Sequence, residues 1–387
     1  MKKFSIVVII LLVLGACKKK DDHDNTPPPP PPAPADTTFY TGMDLSYQPF
    51  LDNFNFDYKD EQGEVIDNVI QWVKDNGVNL IRIRLFHTPD PGNAVLSEGS
   101  LESVIALSKK VKASGNKILL DLHYSDTWAD PGHQNLPAAW NSLSFEKVSD
   151  SLYAYTKHVL LRMHEEGVLP EFVQIGNETN AGFLWNHGKL WIGDDDSNWP
   201  NYTNLVKSAL SAVGFVVTQT GSKIKTMIHF AGLENADYFF QKLYEYGVGY
   251  DIIGMSHYHD WHTKDLQALQ DGLIEITGKY GKPVMIVETR YPFTLGWNDW
   301  THNAVGEESQ LIPGYPATPE GQRDYFSNFV QLLKGIPNRK GIGFVYWAPD
   351  MVAFDGPEST QGSSMENLAT WDFENKALPV FDVFRQY

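Results

Sequence analysis

Two glutamates close apolar runs: Glu178 ends EFVQIGNE (171–178), and Glu288 lies in PVMIVETR (283–290). A carboxylate on an apolar strand is costly to bury unless it is paired or put to use. Two of them facing each other across a cleft form the pair that splits a glycosidic bond. One, kept protonated, gives its proton to the leaving oxygen, while the other attacks the anomeric carbon; a carboxyl separation of about 5–5.5 Å selects retention through a covalent intermediate. That chemistry requires no metal or other cofactor. Other strand-like runs also finish in ionisable or aromatic residues: Asp44, Arg82 with Arg84, Asp121 with His123 and Tyr124, Asn177, His257 with Tyr258, and Trp347. A single such residue is as readily a satisfied core polar group. Six or more runs ending this way point to one shared functional face. Only Asp121 and His123 approach metal-ligand spacing at these ends, and a lone pair is a weak signal.

Elements must carry these residues to one place. Eight short apolar or β-branched runs recur at 39–46, 79–86, 117–124, 171–178, 225–231, 250–258, 283–290 and 341–349. Amphipathic stretches lie between them, among them 63–77, 101–115 and 144–167. Ile66, Val69, Ile70 and Val73 keep helical spacing, and Gly77, Gly115 and Gly167 stand where helices stop. Eight strands in one α/β cadence predict a single (β/α)8 TIM barrel over 37–387, with long βα loops forming the cleft. A doubly wound open sheet competes, but it usually brings a glycine-rich phosphate loop after the first strand. Residues 43–50, MDLSYQPF, contain none. Alternation puts Arg82 and Arg84 on the inward face of their strand, with Ile81, Ile83 and Leu85 on the other. Trp128, Trp185, Trp191, Trp261, Trp297 and Trp300 fall in expected loops, where an indole face can stack on the C–H face of a sugar.

The pattern Gly-Asn-Glu at 176–178, with a glutamate ending the seventh strand, resembles the retaining glycosidases of clan A. More narrowly, QIGNET (174–179), VETRYPFT (287–294), IRIRLF (81–86), DLHYSDTWADPGHQ (121–134), FVYWAP (344–349) and WDFENKALPV (371–380) together resemble family 53 endo-β-1,4-galactanases. The likeness runs from about Tyr40 to the C-terminus. It implies that Glu178 is the acid/base, Asn177 the contact to the sugar 2-hydroxyl, and Glu288 the nucleophile. Arg82 would hold Glu288 ionised, Tyr258 would hydrogen-bond it, and Trp347 would floor the subsite. Asp44, His123 and Trp128 are implied as lining residues. The implied substrate is galactan or arabinogalactan type I of pectin. Other clan A endoglycanases, of mannanase or cellulase type, share the two glutamates. A surface glycan-binding lipoprotein without activity is the alternative from another class. Bacterial relatives often hold a structural calcium between the loop after strand seven and the last loop. Ser363 and Glu366 persist from the second half, but the first keeps a single acid, Asp299. Arg290 also departs from the small residue usual after the nucleophile's threonine.

Composition narrows the partners. The 387 residues carry 31 Lys+Arg against 48 Asp+Glu, a formal charge of −17, which excludes a phosphate-binding nucleic-acid surface. The one cysteine, Cys17, rules out internal disulfides and cysteine metal clusters. Residues 1–16 read as a signal peptide with Lys2, Lys3 and an 11-residue apolar core; Leu14-Gly15-Ala16-Cys17 resembles a bacterial lipobox. Residues 17–36 then form a Lys/Asp/Pro-rich tether with six consecutive prolines, which favour an extended polyproline II spacer. The expectation is a monomer anchored to the outer-membrane lipid bilayer through acylated Cys17 and exposed on the bacterial cell surface.

Overall fold

Alternation gives each of the eight runs one face for the barrel axis and one for the surrounding helices. The computed structural model describes residues 37–191 and 197–387, and Thr38–Tyr387 forms one compact unit. The expected signal peptide, Cys17 lipobox and tether lie outside the described residues.

All eight expected strands form: β1 (Tyr40–Asp44), β2 (Leu80–Leu85), β3 (Lys117–Leu122), β4 (Phe172–Ile175), β5 (Lys225–Ala231), β6 (Ile252–Ser256), β7 (Val284–Thr289) and β8 (Gly341–Tyr346). Each pairs in parallel with its sequence neighbours, and β8 returns to β1 with Tyr40 opposite Gly343, which closes the barrel. Seven of the eight strands end earlier than their runs, because the last residues of those runs turn into the rim, while β5 fills its run to Ala231. Tyr40, Leu80, Leu119, Phe172, Met227, Ile252 and Met285 fill the interior at the N-terminal end as one buried cluster. Ile81, Ile83 and Leu85 face outward into the larger core against the helices, which leaves Arg82 and Arg84 inward as expected.

Among the described residues the helices of five residues or more are α1 (Val69–Asp75), α2 (Leu101–Ala113), α3 (Phe145–Glu165), α4 (Trp199–Thr220), α5 (Ala236–Glu245), α6 (Leu266–Tyr280), α7 (Pro319–Lys334) and the short α8 (Phe381–Arg385). The first is shorter than the expected 63–77. Val65 pairs with Lys59, the Ile66 N–H donates to the Tyr58 carbonyl at 2.8 Å, and Asn68 caps the helix by accepting from the Gln71 N–H. An asparagine cap satisfies an otherwise orphaned donor, so the helix starts there. Gly77 then takes φ +96° against the Phe384 carbonyl, where any Cβ would collide.

Candidate active site

The interior changes character one layer above the apolar cluster. Arg82 is 1 % exposed and spreads its guanidinium over groups from four strands. Nη1 donates to Asp44 at 2.9 Å, and Nη2 contacts Asp121 at 2.8 Å, Glu288 at 2.7 Å and the Asn177 Oδ1 at 2.8 Å. Nε reaches the Gln174 Oε1 at 3.3 Å. Burial opposes the Arg82 charge, but Asp121, Glu288 and Asp44 outweigh it and hold the guanidinium firmly protonated. His123 accepts the Ala129 N–H on Nδ1 at 3.0 Å, so its Nε2–H donates to Asp121 at 2.9 Å. Burial would raise Asp121, yet Arg82 and His123 keep it below its ordinary value.

Glu288 reaches this layer through an irregularity. Met285 and Val287 already point inward, so strict alternation would turn Glu288 away. The ladder instead skips a residue, with Met255 opposite Ile286 but Ser256 opposite Glu288. This bulge turns the carboxylate into the barrel. Besides Arg82, it accepts from the Tyr258 hydroxyl at 2.6 Å. Burial pushes the Glu288 carboxyl up, whereas Arg82 and Tyr258 pull it down.

Glu178 arrives differently. β4 ends at Ile175, and Gly176, Asn177 and Glu178 make a turn, with Glu178 at φ 44°. Gln134 locks that turn by donating to the carbonyls of Asn177 at 2.7 Å and Glu178 at 3.3 Å. A non-glycine residue is rarely left-handed unless its surroundings hold it there. Burial and the Glu288 charge push Glu178 up to about 8. Oxygens of the two carboxyls and a ring nitrogen of His229 all lie within 4.8 Å of one another. These do not make an open metal site. His229 is bonded at both nitrogens, to the Glu178 N–H and to Ser256, while Glu288 is held by Arg82 and Tyr258. With the like charges this close, Glu288 keeps the negative charge beside the cation, and Glu178 keeps the proton.

Above the carboxyls opens a cleft of about 450 Å³ lined by Asp44, His123, Trp128, Asn177, Tyr258 and Trp347, among others. Asn177 gives one N–H to the Ala129 carbonyl at 2.8 Å and has a second for a ligand. Tyr47, not anticipated from sequence, braces the walls. Its ring lies 5.9 Å from Trp128 and 6.3 Å from Trp347, and the Arg84 guanidinium sits between Tyr47 and Trp128 at 4.2 and 4.1 Å. Arg290 points into the cleft, pairing with Asp260 at 3.2 Å and lying 4.8 Å from the Tyr258 ring centre. Of the other loop tryptophans, Trp261 lines the cleft at 78 % exposure. Trp191 packs on Trp199 and Tyr238, and the Trp185 indole N–H donates to the Ala181 carbonyl at 3.0 Å. Trp297 and Trp300 are exposed on the loop after β7.

Asp299, Ser363 and Glu366 do come together. Glu366 accepts backbone N–H groups from Asn298 at 2.6 Å and Asp299 at 3.1 Å. Asp299 accepts those of Thr301 at 2.6 Å and Ser363 at 3.0 Å, and the Ser363 hydroxyl donates to the Met351 carbonyl at 2.7 Å. A calcium ion takes about 6–8 oxygens. Here the carboxylate oxygens close two loops on each other by accepting amide hydrogens, which is not an open oxygen cage.

A closed parallel barrel with a carboxyl pair at the ends of β4 and β7 puts the protein among the barrel glycoside hydrolases. Within that class the chain belongs to glycosyl hydrolase family 53, whose model matches residues 40–384. It is 38% identical over 356 residues to an arabinogalactan endo-β-1,4-galactanase of Cellvibrio japonicus, covering 90% of this chain and 91% of that one. An endo-β-1,4-galactanase of Bacillus subtilis is 30% identical over 385 residues, covering 90% and 85%. Among solved structures, the family 53 catalytic domain of Ignisphaera aggregans superposes with a TM-score of 0.82 at 33% identity, covering 92% of this chain and 97% of that one.

Proposed function

We infer that the protein is an endo-β-1,4-galactanase that hydrolyses galactan or arabinogalactan type I with retention. The observation that carries the mechanism is the carboxyl pair within 4.8 Å, one member on a guanidinium and the other without a cation of its own. Inverting pairs stand about 6.5–9.5 Å apart to admit a water, so the closer spacing favours a covalent route. In the first step Glu288 attacks the anomeric carbon as Glu178 protonates the departing glycosidic oxygen. In the second, Glu178 takes a proton from water as that water displaces Glu288. Trp347, Trp128 and Tyr47 offer apolar faces to the sugar rings, and Asn177 offers an N–H to the 2-hydroxyl. A time course of products from linear galactan, with mannan and cellulose beside it, tests this reading. Mixed oligosaccharides from galactan alone are expected. Release of monosaccharide only, preference for another glycan, or binding without cutting would overturn it.

The N-terminal reading stands beside this one as a proposal: a monomeric catalytic domain, 37–387, is tethered to the outer membrane through acylated Cys17 and works on polysaccharide outside the cell. Cys17→Ala should release the enzyme from the membrane fraction, and unchanged fractionation would refute the anchor.

A further inference from the structure

Behind Glu178 a closed circuit of hydrogen bonds runs through two residues that do not line the cleft. Its members are His229 on β5 and Ser256 at the end of β6, 0 % and 1 % exposed. The Glu178 backbone N–H donates to His229 Nδ1 at 3.2 Å and the Gln174 amide nitrogen lies 3.0 Å from it, while the Asn177 Oδ1, also at 3.0 Å, already accepts from Arg82 and Gln174. With Nδ1 accepting, the neutral imidazole carries its hydrogen on Nε2 and donates to the Ser256 Oγ at 2.8 Å. The Ser256 hydroxyl is then free to donate in one direction, to Glu178 Oε1 at 2.5 Å. The circuit leaves from the main chain of Glu178 and returns to its carboxyl. His229 stays neutral because burial and the neighbouring Arg82 and His123 disfavour its charge more than Asp121 favours it.

The groups facing Glu178 from other elements explain why this matters. Glu288 on β7, Asp130 after β3 and Tyr258 after β6 offer it no positive charge, Arg290 after β7 pairs with Asp260, and Arg82 on β2 touches Asp44, Asp121 and Glu288 and favours the Glu178 carboxylate only from a distance. Ser256 therefore gives the Glu178 carboxylate its hydrogen bond among the described residues.

Building on the acid/base reading of Glu178, we propose that Ser256, aligned by neutral His229, is a positioning residue for catalysis. Its hydroxyl fixes Oε1, leaves Oε2 as the oxygen that exchanges the proton, and supports the carboxylate form needed when water attacks.

The test is the pH dependence of kcat and kcat/KM on linear galactan for S256A, S256T and H229Q. Loss of a hydrogen bond to a charged group raises the carboxyl's value, so in S256A the basic limb of kcat/KM should move up by about one pH unit. Its kcat should fall about tenfold while kcat/KM on a dinitrophenyl galactobioside, which reports the first step, stays near the parent value. S256T, which keeps the hydroxyl, should restore both. H229Q should move the limb in the same direction by less. A folded S256A whose limb does not move and whose kcat on galactan is unchanged overturns the proposal; if circular dichroism finds S256A unfolded, an unmoved limb in H229Q does so. Failure of the acid/base reading itself is separately visible, as normal galactan turnover by E178A.

Discussion

Replacing Arg82 by methionine tests the charge arrangement under Glu288, the proposed nucleophile, because methionine fills a similar length of barrel interior without charge. The guanidinium stands 2.9, 2.8 and 2.7 Å from Asp44, Asp121 and Glu288, all buried. Removing it strands carboxyls, and breaking a buried pair from one side costs about 3–5 kcal/mol. Against about 5–15 kcal/mol for a whole domain, the R82M protein should fold with much of its margin gone. Its pH dependence is the sharper readout. Asp121 now lies below its ordinary value, since Arg82 and His123 outweigh burial. A folded value below the unfolded one contributes stability above the unfolded pKa and loses it as the pH falls through the folded one. Without Arg82, burial is no longer outweighed and the sign reverses. Folded values then exceed unfolded ones, so the penalty is full at neutral pH and shrinks as the pH falls toward the unfolded value of about 4. Urea unfolding at about pH 7 and about pH 4.5 should accordingly give a wild-type-to-variant gap that narrows on acidification. The acid limb of kcat/KM should rise too, because Arg82 is the main group pulling the Glu288 carboxyl down against burial. R82K, a point charge in place of a planar fork, should fall between. A gap that does not change with pH, or an unmoved acid limb, would refute the argument.

Other expectations follow from the same geometry. E178A should lose about 10²–10⁴-fold on galactan yet keep a fast first step on dinitrophenyl galactobioside, which needs no proton; E288A should be dead on both, and equal losses in the two variants would contradict their roles. Because burial and Glu288 push Glu178 to about 8 and it acts protonated, kcat/KM should fall as the pH rises through about 8. E288Q removes the like charge, so carbon NMR of the Glu178 carboxyl should report a lower value than in wild type; an equal or higher one would be inconsistent with the coupling. If the amide-to-carboxylate bonds of Asp299 and Glu366 close their loops without an ion, a chelator should leave the melting temperature unchanged, and a calcium-dependent rise of several degrees would show otherwise.

The barrel was legible because eight runs with a period of two, separated by helical stretches, admit few closures. Arg82 was legible for the same reason, since alternation alone turns it inward. Glu288 was found from its apolar surroundings and by resemblance, and alternation would have misplaced it; the bulge that turns it in depends on pairing with β6, a non-local event with no local signature. Glu178 was read as a strand residue and proves to belong to a turn, where Gly176 allows the chain to leave the sheet. His229 and Ser256 were missed although a signal existed: each shares inward parity with an interior residue of its own strand, His229 with Met227 and Ser256 with Ile252. Tyr47 had no such signal, because it follows β1 in a loop whose path is set by packing. The over-long first helix was an error of periodicity, since Ile66 fits the helical pattern but bonds to Tyr58 instead.

The change of role proposed for Glu178 follows from the charges at this site. Arg82 is one cation in contact with Asp44, Asp121 and Glu288; it pulls Glu178 down only from a distance, by less than burial and the Glu288 charge push it up. As long as Glu288 is ionised, the cheapest arrangement leaves the proton on Glu178, which is the form that can protonate a leaving group. In the covalent route proposed above, Glu288 becomes an ester, its negative charge disappears, and one of the two causes that hold the proton on Glu178, the lesser beside burial, goes with it. The Glu178 carboxyl then falls toward its ordinary range and can accept a proton from water. On the proposed route, the covalent state of Glu288 would therefore time the acid-to-base switch, with no moving part required. Burial remains through both steps and would hold Glu178 protonated too long without compensation. A buried neutral donor compensates without adding a charge that would spoil the first step, and Ser256 is placed to be that donor.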